Sequence, residues 1–388
     1  MEKYQALDYF EMEDLFNDEE KMIRKTVRDF VDRELLPIVN DCYEKAVFPK
    51  QLVPKVAELG LLGANLTGYG CPGLNNTAYG LILQELERGD SGLRSFVSVQ
   101  GALVMYPIHA FGSEEQKKKW LPLLQQGKAI GCFGLTEPDS GSDPGGMKTK
   151  AVKKGNSYVL NGSKAWITNG SVADISVVWA KTNEGVRGFL IEKGTPGLET
   201  KDIKGKLALR ASITSELFFS DCEIPKENLL PKTEGLKSAL MCLNQARYGI
   251  SWGVLGAASA CYHQALSYCK ERKAFGKPLA SFQLIQQKLA WMVTEITKAQ
   301  LLVWRLSKMK DSNKIKHYHV SLAKRNNCWM ALEIARMARD MLGANGTSYE
   351  YNVGRHMCNL EAVKTYEGTH DIHTLVIGER VTGISAFS

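Results

Sequence analysis

The chain of 388 residues is 44% hydrophobic and 23% charged, ordinary proportions for a soluble globular protein built from two or three structural units. Its net charge of +7, from 49 basic and 42 acidic residues, comes without a Lys/Arg run of five or more and without a zinc-finger or RNP pattern, so no nucleic-acid partner is expected. No apolar run reaches the ~18 residues of a membrane span, so no membrane partner is expected either.

The first residues, "MEKYQALDYFEMEDLFNDEEK", are acidic where targeting leaders are basic, which predicts a cytoplasmic protein; a processed chain in the mitochondrial matrix would read the same. Residues 18 to about 128 then read as successive helices. In "DEEKMIRKTVRDFVDRELLPIV" the apolar residues Met22, Val27, Phe30, Val31, Leu35 and Leu36 recur at helical spacing. Asn17 or Asp18 is placed to cap this helix and Pro37 to end it. "SEEQKKKWLPLLQQG" begins with a capping-box pattern, Ser113 to Gln116. Near residue 129 the texture changes to short β-branched and aromatic runs punctuated by Gly, Asn and Asp, the pattern of a compact antiparallel β unit. From about Leu236 long helical patterns return and run to the end, as in a bundle. The expected plan is an α+β multidomain chain: helical over 1–128, antiparallel β over 129–234, helical bundle over 235–388. The nine cysteines are scattered and form no Cys-x-x-Cys pair, as reduced thiols do. The seven histidines lack ligand spacing, because the pair in "HYH" at 317–319 diverges on a helix, and no metal is expected.

Five stretches stand out chemically. "ELERGDSGLRSFVSVQ", 85–100, places Glu87, Arg94 and Ser98 in a greasy context, where long charged side chains are seldom buried unless paired. It is either a solvated edge or an anion site. "GCFGLTEPDSGSDPGGMKTKA", 131–151, runs a strand into a Gly/Ser-rich turn, an ordinary loop or a nest for phosphate or a heteroaromatic ring. It lacks the G-x-G-x-x-G spacing of a dinucleotide fingerprint. "KAWITNG" puts Trp166 and Thr168 at alternating strand positions, facing one side; such a Trp is core or one wall of a flat ligand. "CKERKAFGKPLASFQLIQQKLA" combines Arg272 with a Phe275-Gly276 turn and Gln283 and Gln286. In "YEGTHDIH", Glu367 stands at a helix break beside Gly368, either a surface carboxylate or a tuned general base.

Taken together, "GLTEPDSGSD", "WITN", "ERKAFGKPLASFQ", "DMLGANG" and "YEGTHDIH" stand in an order and spacing that resembles the acyl-CoA dehydrogenase family over essentially the whole chain. The resemblance implies an N-terminal helical domain, a middle β domain and a C-terminal four-helix domain. It also implies FAD, an acyl-CoA substrate, a homotetramer and electron-transferring flavoprotein as acceptor. Carried onto this sequence it makes Glu367 the catalytic base. Phe133, Leu135, Thr136, Gly141, Ser142, Trp166, Ile167 and Thr168 would line the flavin, joined by Leu342, Gly343, Gly346 and Thr369. Arg272, Phe275, Gln283 and Gln286 would reach the FAD of a neighbouring subunit. Asn244 and Arg247, with Ser142 and Gly368, would hold the acyl-CoA.

Within the family the sequence is most similar to the glutaryl-CoA-oxidising subgroup, on "ELERGDSGLRSFVSVQ", "LVMYPI", "KRNN" and "TYEGTHDIH". That likeness implies that Glu87, Arg94 and Ser98 hold a distal carboxylate, with Glu87 on a separate element orienting the Arg94 guanidinium, and that Ser95 is among the substrate-binding residues. It also gives Tyr366 and Thr168 the look of the decarboxylating type. The stretch "LTGYGCPGLNN", 66–76, departs from the family's usual Pro-Glu-x-Tyr-Gly-Gly. The alternatives are a short-chain dehydrogenase or oxidase, or a non-decarboxylating enzyme, on the same scaffold. A different class, a flavin-bearing nucleic-acid-binding relative, would need a continuous basic stripe.

Overall fold

The computed structural model describes Tyr4, Gln5 and residues 7–387, which form the expected helical, β and helical units in that order. The first unit opens with α1, Asp18–Phe30, and Asn17 is its cap: the side chain accepts the Glu20 N–H while Glu20 reaches back to the Asn17 N–H. The helix does not stop at Pro37. A π-helical turn, Val31–Leu35, carries it into α2, Leu36–Lys45, where Pro37 sits in the first turn. There the missing N–H is an orphan in any case, and the widened turn ahead of it re-registers the ladder around the ring. The device recurs. After α3, Val53–Glu58, and the hairpin pair β1, Thr67–Gly68, and β2, Cys71–Pro72, come α4, Asn76–Gly89, and α5, Ser91–Ser98. A second π-helical stretch, Val99–Met105, then leads into α6, Tyr106–Phe111, with Pro107 in its first turn. The unit closes with α7, Glu114–Gln125, which carries the complete Ser113–Gln116 capping box.

The middle unit is a seven-stranded sheet of β3, Gly131–Gly134; β4, Lys150–Lys154; β5, Ser157–Thr168; β6, Ile175–Thr182; β7, Gly185–Glu192; β8, Leu198–Asp202; and β9, Thr214–Pro225. It is antiparallel with one correction: β3 pairs parallel to β6, Gly131 opposite Ile175, and β4 touches β6 in the same sense. A parallel pair needs a crossover, and here the β4–β5 hairpin supplies it in place of a helix.

The C-terminal unit contains α8, Gly235–Glu271; a two-residue hairpin of β10, Lys273–Ala274, and β11, Lys277–Pro278; then α9, Gln283–Asp311; α10, His317–Met341; α11, Val353–Thr365; and α12, His370–Thr382. From Tyr248 to Cys261 α8 is buried on every face, and α4 lies against it. Every residue from Thr77 to Met105 is buried as well. This region holds five charged side chains, and each is paired: Glu85 with Arg28 and Arg88, Arg88 also with Asp32, Glu87 with Arg94, Asp90 with Arg355. The solvated-edge reading of 85–100 is thereby set aside. Among the described residues no helix is long and apolar enough to cross a membrane.

Candidate active site

Asp90 ends α4 and caps α5, its Oδ1 accepting the Gly92 N–H at 2.7 Å. The break lets Glu87, on α4, meet Arg94, on α5. Arg94 Nε donates to Glu87 Oε2 at 2.6 Å and Nη2 to Oε1 at 3.3 Å, and Ser91 Oγ donates to Glu87 Oε1 at 2.8 Å. Arg94 Nη2 also donates to the Tyr366 hydroxyl, which lies 3.5 Å from Ser95 Oγ. Burial works against the Arg94 charge, but Glu87 and Tyr366 outweigh it and hold the guanidinium pKa above its usual value. Two further features fix the pair. A Cβ on Gly253 of α8 would overlap Glu87 Oε2 and come within 3.1 Å of Arg94 Nε, so only glycine fits there. The α5 cap is also tied to α11, because Asp90 Oδ2 accepts from Arg355 Nη1 at 2.6 Å and from Asn359 Nδ2 at 2.9 Å. Ser98 is buried one turn beyond Arg94, and no side-chain hydrogen bond among the described residues joins it to this group.

Helix α11 runs to Thr365 and hands the chain to a tight turn, Tyr366-Glu367-Gly368, before Thr369 caps α12 by accepting the Ile372 N–H. Glu367 has φ +56° and Gly368 φ +92°. The left-handed backbone at a non-glycine residue costs about 1–3 kcal/mol and persists only where its surroundings impose it. At Gly368 a Cβ would stand 3.0 Å from His373 Nε2 and 3.3 Å from Arg247 Nη2. Arg247 Nε donates to the Glu367 carbonyl at 2.7 Å, and its Nη1 lies 3.4 Å from Asn244 Oδ1. Lys324, from α10, donates to the carbonyls on either side, Tyr366 O at 2.6 Å and Gly368 O at 2.7 Å.

Glu367 Oε2 is buried without a hydrogen-bond partner. Burial raises the Glu367 pKa, opposed by the charges of Arg247, Lys324 and Arg94. Burial likewise pulls Lys324 down to about 8 and His373 down to about 2, so that His373, bonded through Nδ1 to Ser321 Oγ at 3.0 Å, is neutral. A buried carboxylate with a raised pKa and a free oxygen can take a proton from an acidified carbon.

The expected flavin-lining residues form a second set. Phe133 and Leu135 are buried and Thr136 half-buried on and after β3, whose register is pinned by Gln100 Oε1 accepting the Gly131 N–H at 2.9 Å. Below that strand Lys164 is fully buried, donating to Leu135 O at 3.1 Å and to Glu137 Oε1 at 2.9 Å. Although burial opposes it, the N–H groups of Lys148 and Thr149, with Lys164, hold the Glu137 carboxyl at about 2. Gly141 and Ser142 are exposed. Trp166 lies on a β-bulge, one extra residue of β5 against β9, at φ +62° and 64% exposed. Ile167 behind it is buried and Thr168 half-buried.

A third set is open to solvent in this chain. Arg272, Phe275, Gln283 and Gln286 are exposed, Phe275 at 95%. Phe275 and Gly276, at φ +51° and +79°, form the two-residue turn between β10 and β11, a place where Asn or Gly usually stands. Leu342 and Gly346 are buried around a short 3-10 turn, with Gly343 exposed at φ +58°. The structure thus joins Glu87, Arg94, Ser95, Asn244, Arg247, Tyr366, Glu367 and Gly368 through direct contacts, and Thr369, of the expected flavin set, follows Gly368 directly.

Lys324, Gly253 and the Glu137–Lys164 pair are absent from the set read from sequence. Lys324 carried a signal: it shares the apolar stripe of α10 with Val320, Ala323, Asn327, Cys328 and Ala331, all buried.

Comparison with known proteins follows this geometry. Residues 17–128, 132–222 and 233–382 match the acyl-CoA dehydrogenase N-terminal, middle and C-terminal domains respectively. The mitochondrial short-chain specific acyl-CoA dehydrogenase of Rattus norvegicus is 40% identical over 367 residues, 92% of this chain and 88% of its own. The structure of a glutaryl-CoA dehydrogenase from Mycobacterium smegmatis in complex with FADH2 superposes with a TM-score of 0.98 at 49% identity, covering 100% of both chains. That of butyryl-CoA dehydrogenase from Megasphaera elsdenii gives 0.90 at 36% identity, covering 94% of this chain and 98% of that one.

Proposed function

The chain belongs to the acyl-CoA dehydrogenase family of FAD-dependent oxidoreductases, and we propose that within it this protein converts glutaryl-CoA to crotonyl-CoA and CO2. The observation that carries the reading is the buried Glu87–Arg94 pair, joined to Tyr366, the residue beside Glu367. Straight-chain acyl groups need no cation at that place. Arg94 Nη1 is the one guanidinium nitrogen without an acceptor among the described residues, free to meet a carboxylate at the far end of a short acyl chain.

The residues fit the cofactor. Trp166 offers an exposed aromatic face from a strained bulge beside Thr168, and the Gly141–Ser142 loop is open. Bound FAD supplies the acceptor for the hydride that leaves the substrate β-carbon. Glu367 removes the α-proton with its buried, unpaired oxygen. Its own N–H has no acceptor among the described residues and is available to the thioester oxygen as charge develops there. Oxidation gives glutaconyl-CoA, whose carboxylate sits on a γ-carbon conjugated through the alkene to the thioester. Cleavage of that bond releases CO2 and leaves its electron pair in a dienolate. Protonated Glu367 then returns its proton to the γ-carbon, giving crotonyl-CoA. We place electron-transferring flavoprotein as the onward acceptor and a homotetramer as the working form.

The curated relative is specific for short chains, so a carboxylate-free short acyl-CoA is the second reading. Turnover of glutaryl-CoA and butyryl-CoA by the purified flavoprotein, with CO2 trapped, separates the two. We expect a preference for glutaryl-CoA with one CO2 per crotonyl-CoA. Equal turnover, or glutaconyl-CoA as the end product, overturns the proposal.

A further inference from the structure

Glu367 lies in a backbone conformation that its own residue type disfavours, and its neighbours do not relieve it locally: Tyr366 is extended and Gly368 is left-handed. Three successive carbonyls, of Tyr366, Glu367 and Gly368, are each held by a cation, two of them by the same ammonium. Lys324 is 1% exposed, and both of its hydrogen bonds go to this turn. A lysine can be buried without a carboxylate partner only if carbonyl dipoles replace its water, and these two carbonyls span the residue that bears the base. The ammonium is therefore a staple between α10 and the α11–α12 turn.

We propose that Lys324 is a positioning residue for the reaction: it fixes the left-handed turn that aims the Glu367 carboxylate and keeps positive charge beside it. The inference rests on Glu367 being the base. Other groups share the site. Arg94 faces Glu367 from α5, Arg247 and Cys242 from α8, and His373 from α12, while Cys328 and His370 face Lys324 itself. His373 is neutral and Cys242 is buried with its thiol held up, so Arg247 and Arg94 are the cations that remain when Lys324 is removed.

The test uses the holoenzyme with Lys324→Met, Lys324→Gln and Lys324→Arg, and Glu367→Gln as reference. Lys324→Met loses charge and donors, Lys324→Gln loses the charge but keeps two N–H donors on a shorter side chain, and Lys324→Arg keeps both charge and donors. In Lys324→Met we expect kcat to fall about 100-fold, the loss typical of a misplaced reacting group, with KM little changed. The acid limb of the kcat profile should move up by about one pH unit, since a neighbouring cation favours the ionised carboxylate. Lys324→Gln should lie between, and Lys324→Arg should recover part of the rate and the limb. Glu367→Gln with wild-type turnover would overturn the base, and this inference with it. An inactive Glu367→Gln beside Lys324 variants of unchanged pH profile, whatever their rate, overturns the positioning role alone. So does failure of all three Lys324 variants to retain flavin and fold, which would make the lysine a structural strut.

Discussion

The buried Glu87–Arg94 pair and the half-buried Tyr366–Gly368 turn form one cluster, whereas the loops expected around the flavin and its adenine end lie open. Around Glu87, Arg94, Tyr366 and Glu367, most polar atoms find a partner in the same chain, and exceptions such as Glu367 Oε2 and Arg94 Nη1 stand where the proposed substrate would meet them. Around Trp166, Arg272, Phe275 and Gln283, aromatic and charged side chains stand in water, two of them on left-handed backbone. The first region is a finished polar core with a gap in it. The second, on the proposed tetramer, would be half of a contact. Chemistry on the acyl group can be set up by one chain, while cofactor retention, on this reading, needs a second.

Three expectations sharpen or break that contrast. The largest concerns Glu367→Gln, which should lose about 10⁴-fold in turnover while keeping its flavin absorbance. In the wild type the carboxylate must be ionised to work, so the acid limb of kcat/KM should lie above the usual range of a glutamate, because burial raises its pKa. The stability consequence has the opposite sign. A carboxyl with a raised folded-state pKa binds protons more tightly folded than unfolded, so stability falls as pH rises from the unfolded value through the folded one. Glu367→Gln should therefore melt higher than wild type above that range; an equal melting temperature would mean that the carboxylate is solvated.

Next, Arg94→Gln should lower kcat/KM for glutaryl-CoA about 100-fold more than for butyryl-CoA, the effect of losing a buried charge partner. Because Glu87 is then left buried and alone, the variant should also lose stability by about 3–5 kcal/mol. Adding Glu87→Gln should restore the melting temperature without restoring the substrate preference. Equal losses on both substrates would make Arg94 structural. The smallest effect is expected in the open region. Phe275→Gly relieves a strained turn worth about 1–3 kcal/mol and should leave or raise chain stability, yet loosen flavin binding, read by dialysis and absorbance. Unchanged retention would place the adenine end elsewhere.

Much of this was legible in sequence because the signals are local. The cap at Asn17 or Asp18, the capping box at Ser113 and the switch in periodicity near residue 129 each depend on neighbours within a few positions. The burial of 77–105 was only half legible: greasy flanks around Glu87 and Arg94 left a solvated edge and an anion site both open, and the pairing across two helices decided between them. What failed to show depends on distant partners or on backbone detail. Pro37 reads as a stop, yet a π-helical turn absorbs it, and nothing in the side chains announces that turn. The parallel pairing of β3 with β6 joins strands about forty residues apart. The Trp166 bulge is invisible in an alternating pattern, and Lys324 passes for a solvated helix lysine unless its place on the apolar stripe is noticed.

Gly253 constrains how such a protein can change over time. A methyl group there has no space while Glu87 and Arg94 remain paired, because α8 passes directly over the carboxylate. Filling that face is therefore not a single step: overpacking would first have to break the ion pair. A lineage drifting toward an apolar acyl chain must surrender its charges before the helix can thicken. One travelling the other way must thin the helix before the charges can arrive. The order of mutations is written into the distance between two helices.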